Sequence, residues 1–258
     1  VIDMPTRFVD FMRVLAPMAG DDTTPEGEQV NIYGNHVGSW NFAATAYLNR
    51  WKVKIYYEHY FDDHSQMFFQ YGRWKDGHIG LEITFPKNRF IDTFVYEGLG
   101  TKDQTGPMLY DSFWGEFEEQ ISAKDNYYNH YLYQGWQHWG MGIGNPLLPG
   151  PIYNKNGQIT FISNRVLAHH IGFCGSPCQS LSYRMLLSYS RHWGTYDNPL
   201  NEIKKQFNSL FEVTYAPQQL KGWSFTVSGA MDRGSILGNN YGGMLVIRKQ
   251  GIIKSGNK

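Results

Sequence analysis

Charge is scarce in this chain. Asp, Glu, Lys and Arg make up 18% of its 258 residues, against about 25% in an ordinary soluble domain. The 23 acidic residues balance the 23 basic ones. There is no basic run or stripe, so no nucleic-acid partner is expected. Long apolar runs are also missing: a membrane-crossing helix needs about 20 consecutive apolar residues, and no segment offers them. Cysteine is limited to two residues, Cys174 and Cys178, in the turn-like CGSPC. That spacing suits either a small disulfide in an oxidising compartment or two free thiols, and it offers too few ligands for zinc. The first residues carry neither a charged n-region nor an apolar h-region. The expectation is that a leader has been removed or that the chain is a portion of something longer.

What the chain does have is aromatic rings and glycine. It holds 18 Tyr, 16 Phe, 8 Trp and 28 Gly, yet its mean hydropathy is −0.46. A soluble globule this aromatic would carry more surface charge. A transmembrane β-barrel reconciles the two, because its strands alternate apolar and polar residues and only one face is greasy.

The alternation is visible. Trp51, Val53, Ile55 and Tyr57 alternate with Lys52, Lys54, Tyr56 and Glu58. Ile79, Leu81 and Ile83 alternate with Gly80, Glu82 and Thr84. Leu181, Tyr183, Met185, Leu187 and Tyr189 form one face of a third segment, and Trp223, Phe225, Val227 and Met231 one face of a fourth. Nine strands are expected, near 39–48, 51–58, 78–85, 90–98, 164–173, 181–190, 208–216, 222–231 and 241–250. Aromatics recur at strand ends (Trp51, Tyr57, Phe85, Phe90, Tyr189, Tyr215, Trp223, Tyr241), where interfacial girdles sit. A soluble sandwich or barrel would share the alternation; the Ser, Thr, Gly, Lys and Glu of the second face favour a wet lumen. Connections read as short at 49–50, 86–89, 174–180 and 217–222, and long at 59–77, 99–163, 191–207 and 232–240, the outer-membrane pattern. An odd strand count is awkward for a bacterial single-chain barrel, and an open sheet in lipid leaves two costly edges. The fold class expected is therefore all-β: residues 1–258 as one partial domain, an antiparallel transmembrane β-barrel of which this is half, with an N-terminal half missing. The loop 99–163 would be extracellular or lumen-filling.

That loop is far longer than ordinary connections and is dense in rings and acids. Rings stack on the apolar face of a pyranose while polar groups bond its hydroxyls. The candidate ligand-binding residues are Trp114, Tyr128, Tyr131, Trp136, His138 and Trp139, with Trp193 added because His138-Trp139-Gly140 is echoed by His192-Trp193-Gly194. The plainer alternative is that these side chains only pack the loop. Residues 111–124 suit a short helix capped by Ser112. In YEHYFDDHSQMF (57–68), Glu58, Asp62, Asp63 and His64 are weak candidates for a divalent cation, against a solvated acidic loop tip. GMGIG (140–144) has neither the spacing nor the context of a dinucleotide site. No nucleophile elbow occurs, and no cofactor is expected.

Several longer segments carry a family likeness: YEHYFDDHS (57–65), GRWKDGHIGLEITFPKN (72–88), GTKDQTGP (100–107), DNYYNH (125–130), GWQHWGMGIGNPLL (135–148), NRVLAHHIG (164–172), HWGTYDNP (192–199) and GWSFTVSGAMDRG (222–234). They resemble the Wzi-type capsule-assembly outer-membrane proteins, over most of residues 20–250. The resemblance implies a barrel of about eighteen strands, twice the nine counted above, in the bacterial outer membrane. It implies a lectin-like, non-catalytic protein that binds or organises capsular polysaccharide. Its expected partners are outer-membrane lipid, surface polysaccharide and the missing N-terminal half. No family motif assigns sugar contacts residue by residue. Two other functions compete: a porin-like channel for small solutes or oligosaccharides, and a barrel enzyme acting on glycan or lipid through Glu58/His59 or Asp62/His64.

Overall fold

A computed structural model describes residues 5–16, 18–25, 28–29, 33–34, 36–62, 76–88, 90–104, 126–129 and 135–251. A short helix α1 (Phe8–Leu15) comes first. It is followed by β1 (Val37–Leu48), β2 (Trp51–Asp62), β3 (Gly77–Thr84) and β4 (Thr93–Gly100). After a long connection holding a small hairpin, β5 (Gln137–His138) and β6 (Met141–Gly142), the chain continues as β7 (Val166–Cys178), β8 (Leu181–Gly194), β9 (Pro199–Tyr215), β10 (Trp223–Gly234) and β11 (Asn240–Lys249).

Nine of these strands form one antiparallel sheet in the order β1-β2-β3-β4-β7-β8-β9-β10-β11. Each strand pairs with the next strand of the same sheet along the chain, as a meander, with β5 and β6 lying in the connection between β4 and β7. Among the described residues no strand pairs with the free side of β1 or of β11, so the sheet is open.

Period-two sequence becomes two chemically different faces. One register row, taken strand by strand, reads Ala44, Ile55, Leu81, Tyr96, Ile171, Leu187, Ser209, Met231, Tyr241. The adjacent row reads Ala43, Tyr56, Gly80, Glu97, His170, Ser188, Asn208, Asp232, Asn240. Among the described residues nothing covers the apolar face. Ile55 is 55% exposed, Val227 61% and Leu245 65%, while Leu81, Leu187 and Phe225 are half-buried by their neighbours on the sheet. Each such side chain left in water forgoes about 1.5–3 kcal/mol.

The buried hydrophobic cluster lies on the opposite, polar side. Leu99, Val166 and Ala168 project from the loop ends of β4 and β7, and Tyr128, Leu148 and Phe161 of the long connection pack onto them. Helix α1 is turned apolar side out: Phe8, Phe11 and Leu15 are exposed while Asp10 is buried, bridged to Arg7 and Arg13.

Several expectations need correction. The segment 191–207 is not a long loop. β8 and β9 continue through it and turn at residues 195–198. CGSPC lies within β7, and only 179–180 form the turn. The register shift between Gly175 and Cys178 accommodates Pro177, which a regular ladder rejects and a bulge tolerates. Cys174 and Cys178 are both free. Four residues of extended chain span roughly 10 Å or more, beyond a disulfide's reach of about 7 Å between Cα atoms. The alternation of connection lengths is correspondingly weaker: 85–92 and 216–222 exceed 195–198 and 235–239, which face them across the sheet.

Candidate functional site

The long connection is stitched to the polar side of the sheet by side-chain amides that take the place of a backbone ladder. Asn164 is central. Its carbonyl accepts from Thr101 Oγ1 at 2.7 Å and Gln104 Nε2 at 2.8 Å, and its Nδ2 donates to the Tyr127 carbonyl at 2.9 Å. Asn129 holds Phe161 from both sides, accepting from its N–H and donating to its carbonyl, each at 2.8 Å. Asp76, 2% exposed, accepts from the Asp103 N–H at 2.9 Å and the Tyr127 hydroxyl at 3.1 Å. Burial outweighs these bonds and a further one from the Gln104 backbone N–H, and pushes its carboxyl up to about 7.

On this knot sits an aromatic stack. The ring of Tyr128 lies 6.2 Å from that of Trp136, nearly parallel, and meets Phe161 edge-on at 5.1 Å. The backbone of Tyr128 is left-handed (φ 68°), as is that of Trp139 (φ 52°). Such conformations cost non-glycine residues about 1–3 kcal/mol and persist where the surroundings impose them. Trp139 and Gly140 (φ 79°) form the two-residue turn between β5 and β6, a position that normally holds Asn-Gly. The turn is buttressed by Gly140 N–H to Gln137 Oε1 at 2.7 Å and Ile152 N–H to the Gly140 carbonyl at 2.8 Å. Trp139 is 86% exposed at its tip, beside exposed Met141, Ile152 and Tyr153.

Between this loop and the sheet lies a cavity of about 780 Å³. Its floor is a polar ladder across the strands: Glu58, His78, Glu97, His170, Ser188 and Asn208. Ser39 Oγ donates to Glu58 at 2.7 Å, and Tyr56 donates to Glu97. His78 lies between the two carboxylates, 3.7 Å from Glu58 and 3.5 Å from Glu97. His170 Nδ1 meets Ser188 Oγ at 2.7 Å. The roof is Tyr128, Asn145, Leu147 and Leu148. A flat sheet would hold β1 and β9, six strand-steps apart, about 29 Å from each other. Because Ser39 and Asn208 line one cavity, the sheet curls toward this side.

The expected site residues divide. Tyr128 lines the cavity, and Trp136 supports it from behind. His138 and Trp139 are exposed at the hairpin. Trp193 stands apart at the end of β8, with the Lys102 ammonium 5.1 Å and the Arg191 guanidinium 5.3 Å from its ring. It is not among the residues that line the cavity. Trp114, Tyr131, Asp63, His64 and the helix expected at 111–124 lie outside the described residues, as does the Asp62 side chain. Glu58 belongs to the ladder. Among the described residues no group of three metal-ligating side chains occurs.

Comparison with protein-family models, with curated proteins and with solved structures found no match.

Proposed function

We propose that this sheet is part of the wall of an outer-membrane β-barrel whose long connection binds surface polysaccharide, lectin-like and without catalysis, in the manner of the Wzi-type proteins it resembles. The observation that carries the reading is the uncovered apolar face backed by a polar one. Aromatic side chains are exposed toward both of its ends. Trp51, Phe90, Tyr215 and Trp223 lie toward the 49–50 turn, and Trp40, Phe42, Tyr189 and Tyr241 toward the long connection. On β1, Trp40 and Leu48 are eight residues apart, roughly 26 Å along the strand. Before strand tilt is subtracted, this compares with an apolar band of about 25 Å in membrane barrels.

Strand direction also supports it. β1 and β11 run the same way, since the strands between them alternate. A second copy of this sheet would join it through two parallel seams. An odd number of further strands, such as a nine-stranded N-terminal half, would close it with antiparallel pairs only. The exposed Trp139 supplies a flat ring for a pyranose, held out on a turn that an Asn would occupy at lower cost. The loop core packed against Leu99, Val166 and Ala168 lies across the lumen side and argues against an open pore.

The test is retention of capsule-type polysaccharide by the purified protein. Trp139→Ala is expected to weaken it at least fivefold, with the β-sheet signal unchanged. Equal retention by wild type and variant removes the hairpin as the site; no retention by wild type removes the function.

A further inference from the structure

We propose that the cavity under the loop is a second saccharide subsite, and that it accepts sugar units without an acidic group and rejects uronates. The inference rests on the preceding reading for one thing only, that the ligand is a saccharide.

The geometry is that of a built pocket. At about 780 Å³ it falls within the range of small-ligand sites, which combine apolar walls with a few convergent polar groups. Tyr60, Tyr128, Leu147 and Leu148 supply the apolar part. Glu58, Glu97, His78 and Asn208 converge from four different strands. Sugar hydroxyls are donors, and carboxylates accept them in short, charge-assisted bonds.

The charge of the lining sets the selectivity. Glu58 and Glu97 face the cavity, and no Lys or Arg is among the described residues that line it. On the same face Lys52 pairs with Glu82 at 3.3 Å and Arg184 with Glu212 at 3.4 Å, and the Lys54 ammonium lies 5.1 Å from the Tyr56 ring, outside the lining. The two imidazoles, His78 and His170, are the remaining ionisable side chains of the floor. A uronate placed here would meet two carboxylates in a half-enclosed site without a counter-ion, and repulsion between like charges grows as water is excluded.

The test uses the full chain in detergent at pH 8, titrated with the N-acetylglucosamine trimer and the galacturonic acid trimer. The neutral trimer is expected to bind at least about tenfold more tightly. The double variant Glu58→Gln, Glu97→Gln is expected to close that gap by a factor of ten or more. Leu147→Lys, which adds a cation to the roof and leaves the floor intact, is expected to move the ratio the same way. A ratio of two affinities from one preparation is insensitive to any unfolded fraction. Binding of neither trimer, equal binding of both to wild type, or a ratio unmoved in both variants overturns the proposal. If the ratio behaves as expected but capsule-type polysaccharide is not retained through Trp139, the earlier reading fails and this one stands.

Discussion

The ring of Tyr56 lies across the backbone of Gly80, its partner on β3, and reaches Glu97 on β4. The register aligns Tyr56, Gly80 and Glu97 on three successive strands. A Cβ on Gly80 would run into the ring, so the glycine is what lets a phenol on one strand donate to a carboxylate two strands away. The Lys54 ammonium lies 5.1 Å from the same ring. Gly80→Ala is expected to push the ring aside and break the bond to Glu97, costing about 1.5–3 kcal/mol as for other bonds to charged groups. Tyr56→Phe removes the same bond and keeps the ring. The two substitutions act on one interaction, so the double variant is expected to cost little more than the worse single one. Urea titration of the folded chain checks this; simple additivity would show that the brace does not exist.

The ladder containing that brace was not legible in the sequence, although the strands that carry it were. The nine strands of the sheet are legible because most alternate apolar and polar residues; the segments 90–98 and 164–173 carry charges or histidines on both faces and are the less regular ones. The misses share a cause. Ser190, His192, Lys204 and Gln206 are polar because they lie on the polar face, and beside Gly194 and Pro199 they read as a loop. In the sequence Glu58 groups with Asp62, Asp63 and His64 because they are near one another in the chain. Its partner His78 and the next rung, Glu97, lie on other strands, and only the register brings them together. The loop was legible in composition but not in geometry. Tyr128, Trp136 and Trp139 look equivalent on paper, yet one lines the cavity, one packs behind it and one is exposed.

That difference is measurable. Trp136 and Tyr128 are stacked in the loop core, so Trp136→Ala is expected to destabilise the loop by about 3 kcal/mol, as for a large aromatic truncation. Trp139→Asn is expected to do the opposite. Asn tolerates the left-handed backbone of this turn, so the substitution relieves about 1 kcal/mol of strain while polysaccharide retention falls. Protease sensitivity of the long connection reports both effects. Destabilisation by Trp139→Asn would show that the indole packs rather than projects.

The two faces make opposite predictions for an added charge. Val227 lies on the apolar face and Ala230 on the polar one, both exposed, on the same strand. If the apolar face meets hydrocarbon, Val227→Arg is expected to cost about 2–4 kcal/mol in a bilayer and Ala230→Arg about 1 kcal/mol or less. Folding into lipid vesicles, followed by urea titration, separates the two. In a protein whose apolar face met water, Val227→Arg would be harmless.

Asp76 gives the loop a pH dependence of definite sign. Its folded-state value of about 7 lies above the ordinary 3.8. Between these values the folded chain keeps the proton and the unfolded chain has lost it. The stability this group contributes is therefore fully present below about pH 4 and is lost as pH rises through about 7. At about 1.4 kcal/mol for each unit of difference, the loss approaches roughly 4 kcal/mol. The proton holds the carboxyl neutral where it joins β3 to Asp103 and Tyr127 of the long connection, so the loop is the part expected to loosen. Asp76→Asn keeps a neutral group of the same shape: its carbonyl can accept from the Asp103 N–H, and its amide can donate to the Tyr127 hydroxyl. Amide exchange in residues 101–104 and 126–129 is expected to speed up between pH 5 and pH 8 in the wild type, beyond the intrinsic rise, and to lose that excess in Asp76→Asn. An excess of equal size in both proteins would place the titrating group elsewhere.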